Sequence, residues 1–124
     1  MALGKEIGEF SLKQTSSTCA QDGGSVSLSV NFDGTAPPFG TILGTLTARG
    51  APGSKHGTCS WRAQAFGENV DSLFAVGEGT WHESGKHQYR IRLIDLVSDG
   101  QVFAADGRFD LATRLFSGKL IEWS

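Results

Sequence analysis

Apolar and polar residues alternate one by one along most of this chain, the period of a strand with one face buried and one face wet. Ser25–Phe32 reads Ser, Val, Ser, Leu, Ser, Val, Asn, Phe, so Val26, Leu28, Val30 and Phe32 share a face. No stretch repeats apolar residues at the i, i+3, i+4, i+7 spacing of a helix. The alternation predicts eight strands, near Lys5–Gln14, Ser25–Phe32, Gly40–Arg49, Thr58–Phe66, Ser72–Trp81, Lys86–Leu96, Gln101–Leu111 and Arg114–Trp123. Between them stand runs rich in Gly, Asn, Asp and Pro: Gln21–Gly24, Asp33–Pro38, Gly50–Gly57, Gly67–Asn69, Glu83–Gly85 and Ser98–Gly100. Such residues favour chain reversal. Short, evenly spaced strands with short connections predict an all-β fold, a single up-and-down antiparallel eight-stranded barrel over residues 1–124, with a sandwich as its rival.

Parity assigns the faces. Phe10, Leu12, Ile42, Leu46, Trp61, Ala63, Ala65, Phe74, Val76, Tyr89, Ile91, Leu93, Phe103, Ala105 and Phe109 are expected to point inward with the Ser25–Phe32 set. Arg62, Gln64, Arg90, Arg92, Asp106, Arg108 and Asp110 are expected outside, with Arg92 opposite Asp106 across a three-residue loop. Leu43, Leu73, Leu115 and Ile121 also fall on outward parity; a contiguous patch of them would point to a homodimer or another partner.

A chain of 124 residues leaves room for one core. Glycine makes up 17 of them, enough to ask what small residues do on the inner face. Gly44, Ala48, Ala63, Ala65, Ala105, Gly107 and Gly118 fall there, and undersized lining would leave the lumen hollow enough for one ligand. Alternatively the glycines bend a tight barrel. A net charge of −2 without a basic run argues against nucleic acid. No segment has the apolar length of a membrane span, and Met1–Phe10 lacks a signal-like apolar core, so a cytoplasmic protein is expected.

An up-and-down path gathers His56, His82, His87, Cys19 and Cys59 toward one mouth. No His-x-His pair is present, so no metal is expected; the cysteines read as two free thiols, although a bridge is conceivable. A four-residue loop at His82–Gly85 would set Thr80 opposite His87 and Glu78 opposite Tyr89, with Trp61 beside Glu78. The expected site is therefore a polar cluster of Trp61, Glu78, Thr80, His87 and Tyr89 above an apolar lumen. A carboxylate and an imidazole beside an apolar cavity suit proton transfer, which makes Glu78 and His87 the catalytic candidates should the protein be an enzyme. The plainer alternative is that Glu78 and Tyr89 only hydrogen-bond each other. Asp95, inward near the opposite mouth, reads as satisfying a turn. Gly77-Glu78-Gly79 lacks the third glycine and the helix of a dinucleotide site, and no nucleophile elbow or phosphate loop occurs.

The eight-strand layout, Gly77-Glu78-Gly79-Thr80-Trp81 followed by Gly85-Lys86-His87-Gln88-Tyr89, and the Gly118-Lys119-Leu120 ending resemble the small calycin-type barrels, in particular the allene-oxide-cyclase-like set. Lipocalins carry Gly-x-Trp near the N-terminus, whereas here Gly79-Thr80-Trp81 lies in the fifth strand. The resemblance implies a lumen that accepts an apolar small molecule, in carriers and cofactor-free cyclases alike. The combined expectation is a barrel that binds a small apolar molecule through Phe10, Leu28, Trp61, Phe74, Thr80, Tyr89, Ile91 and Phe103, with no cofactor. A cofactor-free isomerase or cyclase is the first alternative and a solidly packed interaction module the second.

Overall fold

The computed structural model, which describes residues 3–68 and 72–123, is a closed barrel of eight antiparallel strands. They are β1 (Leu3–Asp22), β2 (Ser25–Ala36), β3 (Gly40–Gly50), β4 (His56–Phe66), β5 (Leu73–Gly85), β6 (Gln88–Val97), β7 (Val102–Asp110) and β8 (Leu115–Trp123). Each strand pairs with its neighbours in sequence, and β8 closes on β1 from Leu3↔Trp123 to Lys13↔Leu115. Closure pairs the two edges that an open sheet would expose. No helix among the described residues is long and apolar enough to cross a membrane. Asn69, in one expected turn, lies outside the described residues.

The inner face is largely the expected one. Phe10, Leu12, Val30, Phe32, Ile42, Leu46, Trp61, Ala63, Ile91, Leu93, Phe103, Ala105 and Phe109 are all buried. On the outer face Arg92 stands opposite Asp106 as expected. The ion pair is nonetheless diagonal: Arg90 Nε donates to Asp106 Oδ1 at 3.0 Å and Nη2 to Oδ2 at 2.7 Å.

β1 and β5 differ most from their expected course. β1 continues eight residues past the expected end at Gln14, and Gln14-Thr15-Ser16-Ser17-Thr18-Cys19-Ala20-Gln21-Asp22 pairs with β2 from Phe32 to Ser25. Both faces of this extension are polar or small, so alternation could not reveal it. A bulge at Thr15 resets its parity, placing Ser17, Cys19 and Gln21 opposite the inward Val30, Leu28 and Val26. Gly23, at φ 61°, allows the tight reversal into β2. Asp33-Gly34, read as a turn, lies inside β2.

The second difference is a face reversal in β5. Its inward residues are Leu73, Ala75, Gly77, Gly79 and Trp81, paired with the inward Ala65, Ala63, Trp61, Cys59 and Gly57 of β4. Phe74, Val76, Glu78 and Thr80 therefore point outward, and Phe74 is 46% exposed. The turn into β6 sits at Lys86–His87, not at His82–Gly85, with His87 at φ 59° and a bulge between Glu83 and Gly85. Thr80 consequently faces Arg92, Glu78 faces Ile94 and Tyr89 faces Glu83. An odd slip in register inverts every side chain. Leu73, expected outside, becomes part of the lumen wall.

Candidate functional site

Aromatic rings divide the lumen. Phe32 is 2% exposed and contacts Phe109 at 5.5 Å between centroids, Phe116 at 5.3 Å and Trp61 at 6.3 Å; Phe10 meets Phe116 edge-on at 4.9 Å. Edge and tilted contacts of this kind suit the ring quadrupoles. Glycines make room for them. A Cβ at Gly107 would lie 2.7 Å from both Phe10 and Phe116, and one at Gly44 would collide with the indole of Trp61. These undersized residues thus admit rings, where the composition suggested that they leave space. The barrel is packed at its waist and open on either side.

On the side of the β1–β2, β3–β4, β5–β6 and β7–β8 connections, the lumen is a cup of about 570 Å³. Its wall includes Leu28, Leu46, Ala48, Tyr89, Ile91 and Phe109, with Trp81 near the rim. Trp81 is held by a hydrogen bond from Nε1 to the carbonyl of Arg49, 3.1 Å, and by an edge contact with Tyr89 at 6.0 Å. Gly57 permits this placement: a Cβ there would approach Trp81 Nε1 to 2.7 Å. Cys19 also lines the cup.

Beyond the aromatic partition lies a smaller chamber of about 60 Å³, lined among others by Phe10, Ile42, Trp61, Leu73, Val97 and Phe103. Phe39, from the β2–β3 connection, stacks on Phe103 at 5.3 Å. One carboxyl enters this apolar surround. Asp95 is 2% exposed, and its Oδ1 has no hydrogen-bond partner. It satisfies no turn through that atom, contrary to expectation. Burial pushes the Asp95 carboxyl up to about 7.

The expected polar cluster does not assemble. Trp61 belongs to the partition and the small chamber; Glu78 is outside, paired with Arg62 at 3.2 Å; Thr80 is outside and exposed; His87 is exposed on its turn; only Tyr89 faces the cup. The remaining expected lining residues divide: Leu28 and Ile91 line the cup, Phe10 and Phe103 the small chamber, and Phe74 neither, being outward. His56 and His82 are paired across β4 and β5, and no cluster of three or more potential metal ligands occurs among the described residues. Both cysteines are free: Cys19 sits in β1 and Cys59 is buried in β4. Trp81 is the principal lining residue that sequence parity missed. The signal for it was the run of small residues Ala75, Gly77 and Gly79 on its own face, which only the pairing with β4 identifies as inward.

Fold and lumen together define the class: a closed, up-and-down eight-stranded barrel with an open apolar cup. Comparison with protein-family models, curated protein sequences and solved structures finds no match to this chain.

Proposed function

We propose that this protein binds a small apolar molecule in the cup beneath Trp81. The observation that carries the reading is the cup itself: about 570 Å³, apolar in most of its wall and open at one mouth. Ligand pockets typically span about 300–1,000 Å³ and bury their occupant against apolar and aromatic side chains. Tyr89, Gln21, Ser27, Ser54 and Arg49 are the polar lining residues that would orient it. The isomerase alternative loses its proposed proton-transfer pair, because Glu78 is outside and His87 exposed.

The fluorescent probe N-phenyl-1-naphthylamine tests the proposal. It is expected to brighten on binding, to quench Trp81, and to lose at least tenfold in affinity in Ala48→Trp/Leu28→Trp, which puts two indoles into the cup. Glu78→Gln is expected to leave binding unchanged. A folded Ala48→Trp/Leu28→Trp variant that binds the probe as well as the parent would refute the cup as the site. Circular dichroism and a thermal melt establish that the variant is folded.

A further inference from the structure

We infer that the chamber around Asp95 is a second ligand site, shaped for a small neutral molecule with one carbonyl oxygen that accepts a hydrogen bond from the Asp95 carboxyl. The inference is independent of the cup, from which Phe32, Phe109 and Phe116 separate it.

Three observations carry it. First, Asp95 is almost wholly buried and its Oδ1 is unpaired, a costly state that a barrel can avoid with any apolar residue at an inward position. Secondly, space is reserved for that carboxyl. Gly77 is its Cα partner on β5, and a Cβ at 77 would collide with Oδ1. On β7 its partner is Phe103, another chamber wall. Thirdly, the carboxyl lines a cavity of about 60 Å³. That exceeds the roughly 10–15 Å³ needed by one water.

The chemistry of the surround selects the ligand. Among the described lining residues there is no Lys, Arg or His; the exposed Gln64 and the indole N–H of Trp61 are the other polar groups, and Asp95 is the sole carboxyl. Of the titratable groups on nearby strands, the Cys59 thiol of β4 is itself pushed up to about 12, in part by Asp95, and Glu78 of β5 is paired outside with Arg62. No cationic side chain among the described lining residues offsets a carboxylate charge there. A protonated carboxyl offers one strong O–H donor, which a ketone or aldehyde oxygen satisfies without bringing further N–H groups into an apolar space. An ammonium would bring several donors to a chamber with few acceptors.

The test uses 2-butanone and its hydrocarbon isostere 2-methyl-1-butene, titrated into the whole protein carrying a 13C-labelled aspartate carboxyl. At pH 5.5 the ketone is expected to bind more tightly than the alkene and to raise the pH at which the Asp95 signal titrates. With a carboxyl titrating near 7, ketone affinity should fall roughly thirtyfold by pH 8.5, following the protonated fraction. Asp95→Asn keeps an N–H donor, so it should retain the ketone preference and lose the pH dependence; Asp95→Leu should lose the preference. Equal binding of ketone and alkene, no binding of either, or ketone binding that tightens with pH would overturn the inference. Ala48→Trp/Leu28→Trp should not change ketone binding, which distinguishes failure here from failure of the cup.

Discussion

Asp95 and Gly77 stand opposite each other on β6 and β5, and the carboxyl of one fills the space that a side chain on the other would need. This complementarity couples the two positions. Gly77→Ala should destabilise the barrel by about 1–3 kcal/mol, the usual cost of overpacking. In an Asp95→Ala background most of that cost should disappear. Urea denaturation of the four proteins in the cycle measures the coupling, and additive effects would show that the two sites do not share space.

The same carboxyl sets a pH dependence. Burial raises Asp95 from 3.8 to about 7, so between those values the folded chain keeps a proton that the unfolded chain has released. Its contribution to stability therefore falls as pH rises through that window, by up to roughly 4 kcal/mol, and is level above it. Asp95→Asn should remove this fall. The measurement is the difference in unfolding free energy between parent and variant from pH 4 to 8; a constant difference would exclude the buried carboxyl as its source.

Asp106 behaves in the opposite sense. Its fork with Arg90 is the largest influence holding its carboxyl below the ordinary range, so the stability it adds is present above about pH 4 and lost as pH falls. Both partners are about one-third exposed, and solvent screening reduces the effect. Asp106→Asn should cost less than about 1 kcal/mol at pH 7, and less still in high salt. Thermal melts at two salt concentrations check this.

The two thiols should differ in reactivity. Cys59 is 2% exposed and burial, reinforced by Glu78 and Asp95, pushes its thiol up to about 12. Cys19 is exposed in the cup wall. A thiol-specific disulfide reagent should therefore titrate one cysteine per native chain at pH 8 and two after unfolding. N-phenyl-1-naphthylamine should slow the native reaction. Unchanged labelling of Cys19 in its presence would show that the probe binds elsewhere.

Side-chain alternation and the short turn-rich runs between strands determined that this chain forms antiparallel strands, how many there are, and the inward set on β2, β3, β4, β6 and β7, because a period of two and a tight turn are local properties. It also located the Arg92–Asp106 register, where a short turn and opposite charges agree. The tertiary structure decided the rest. The β1 extension has no apolar face to announce it, and the middle of β5 turns Phe74 and Val76 outward while Ala75, Gly77 and Gly79 face the lumen. Only pairing with β4 and β6 chooses between two faces that the local pattern ranks in the wrong order. Whether small residues leave a void was likewise not a local question. Gly44 and Gly107 are filled by rings from other strands, Gly77 by a carboxyl, and the cup remains open where no ring reaches, since occupancy of a lumen depends on what all eight strands project into it.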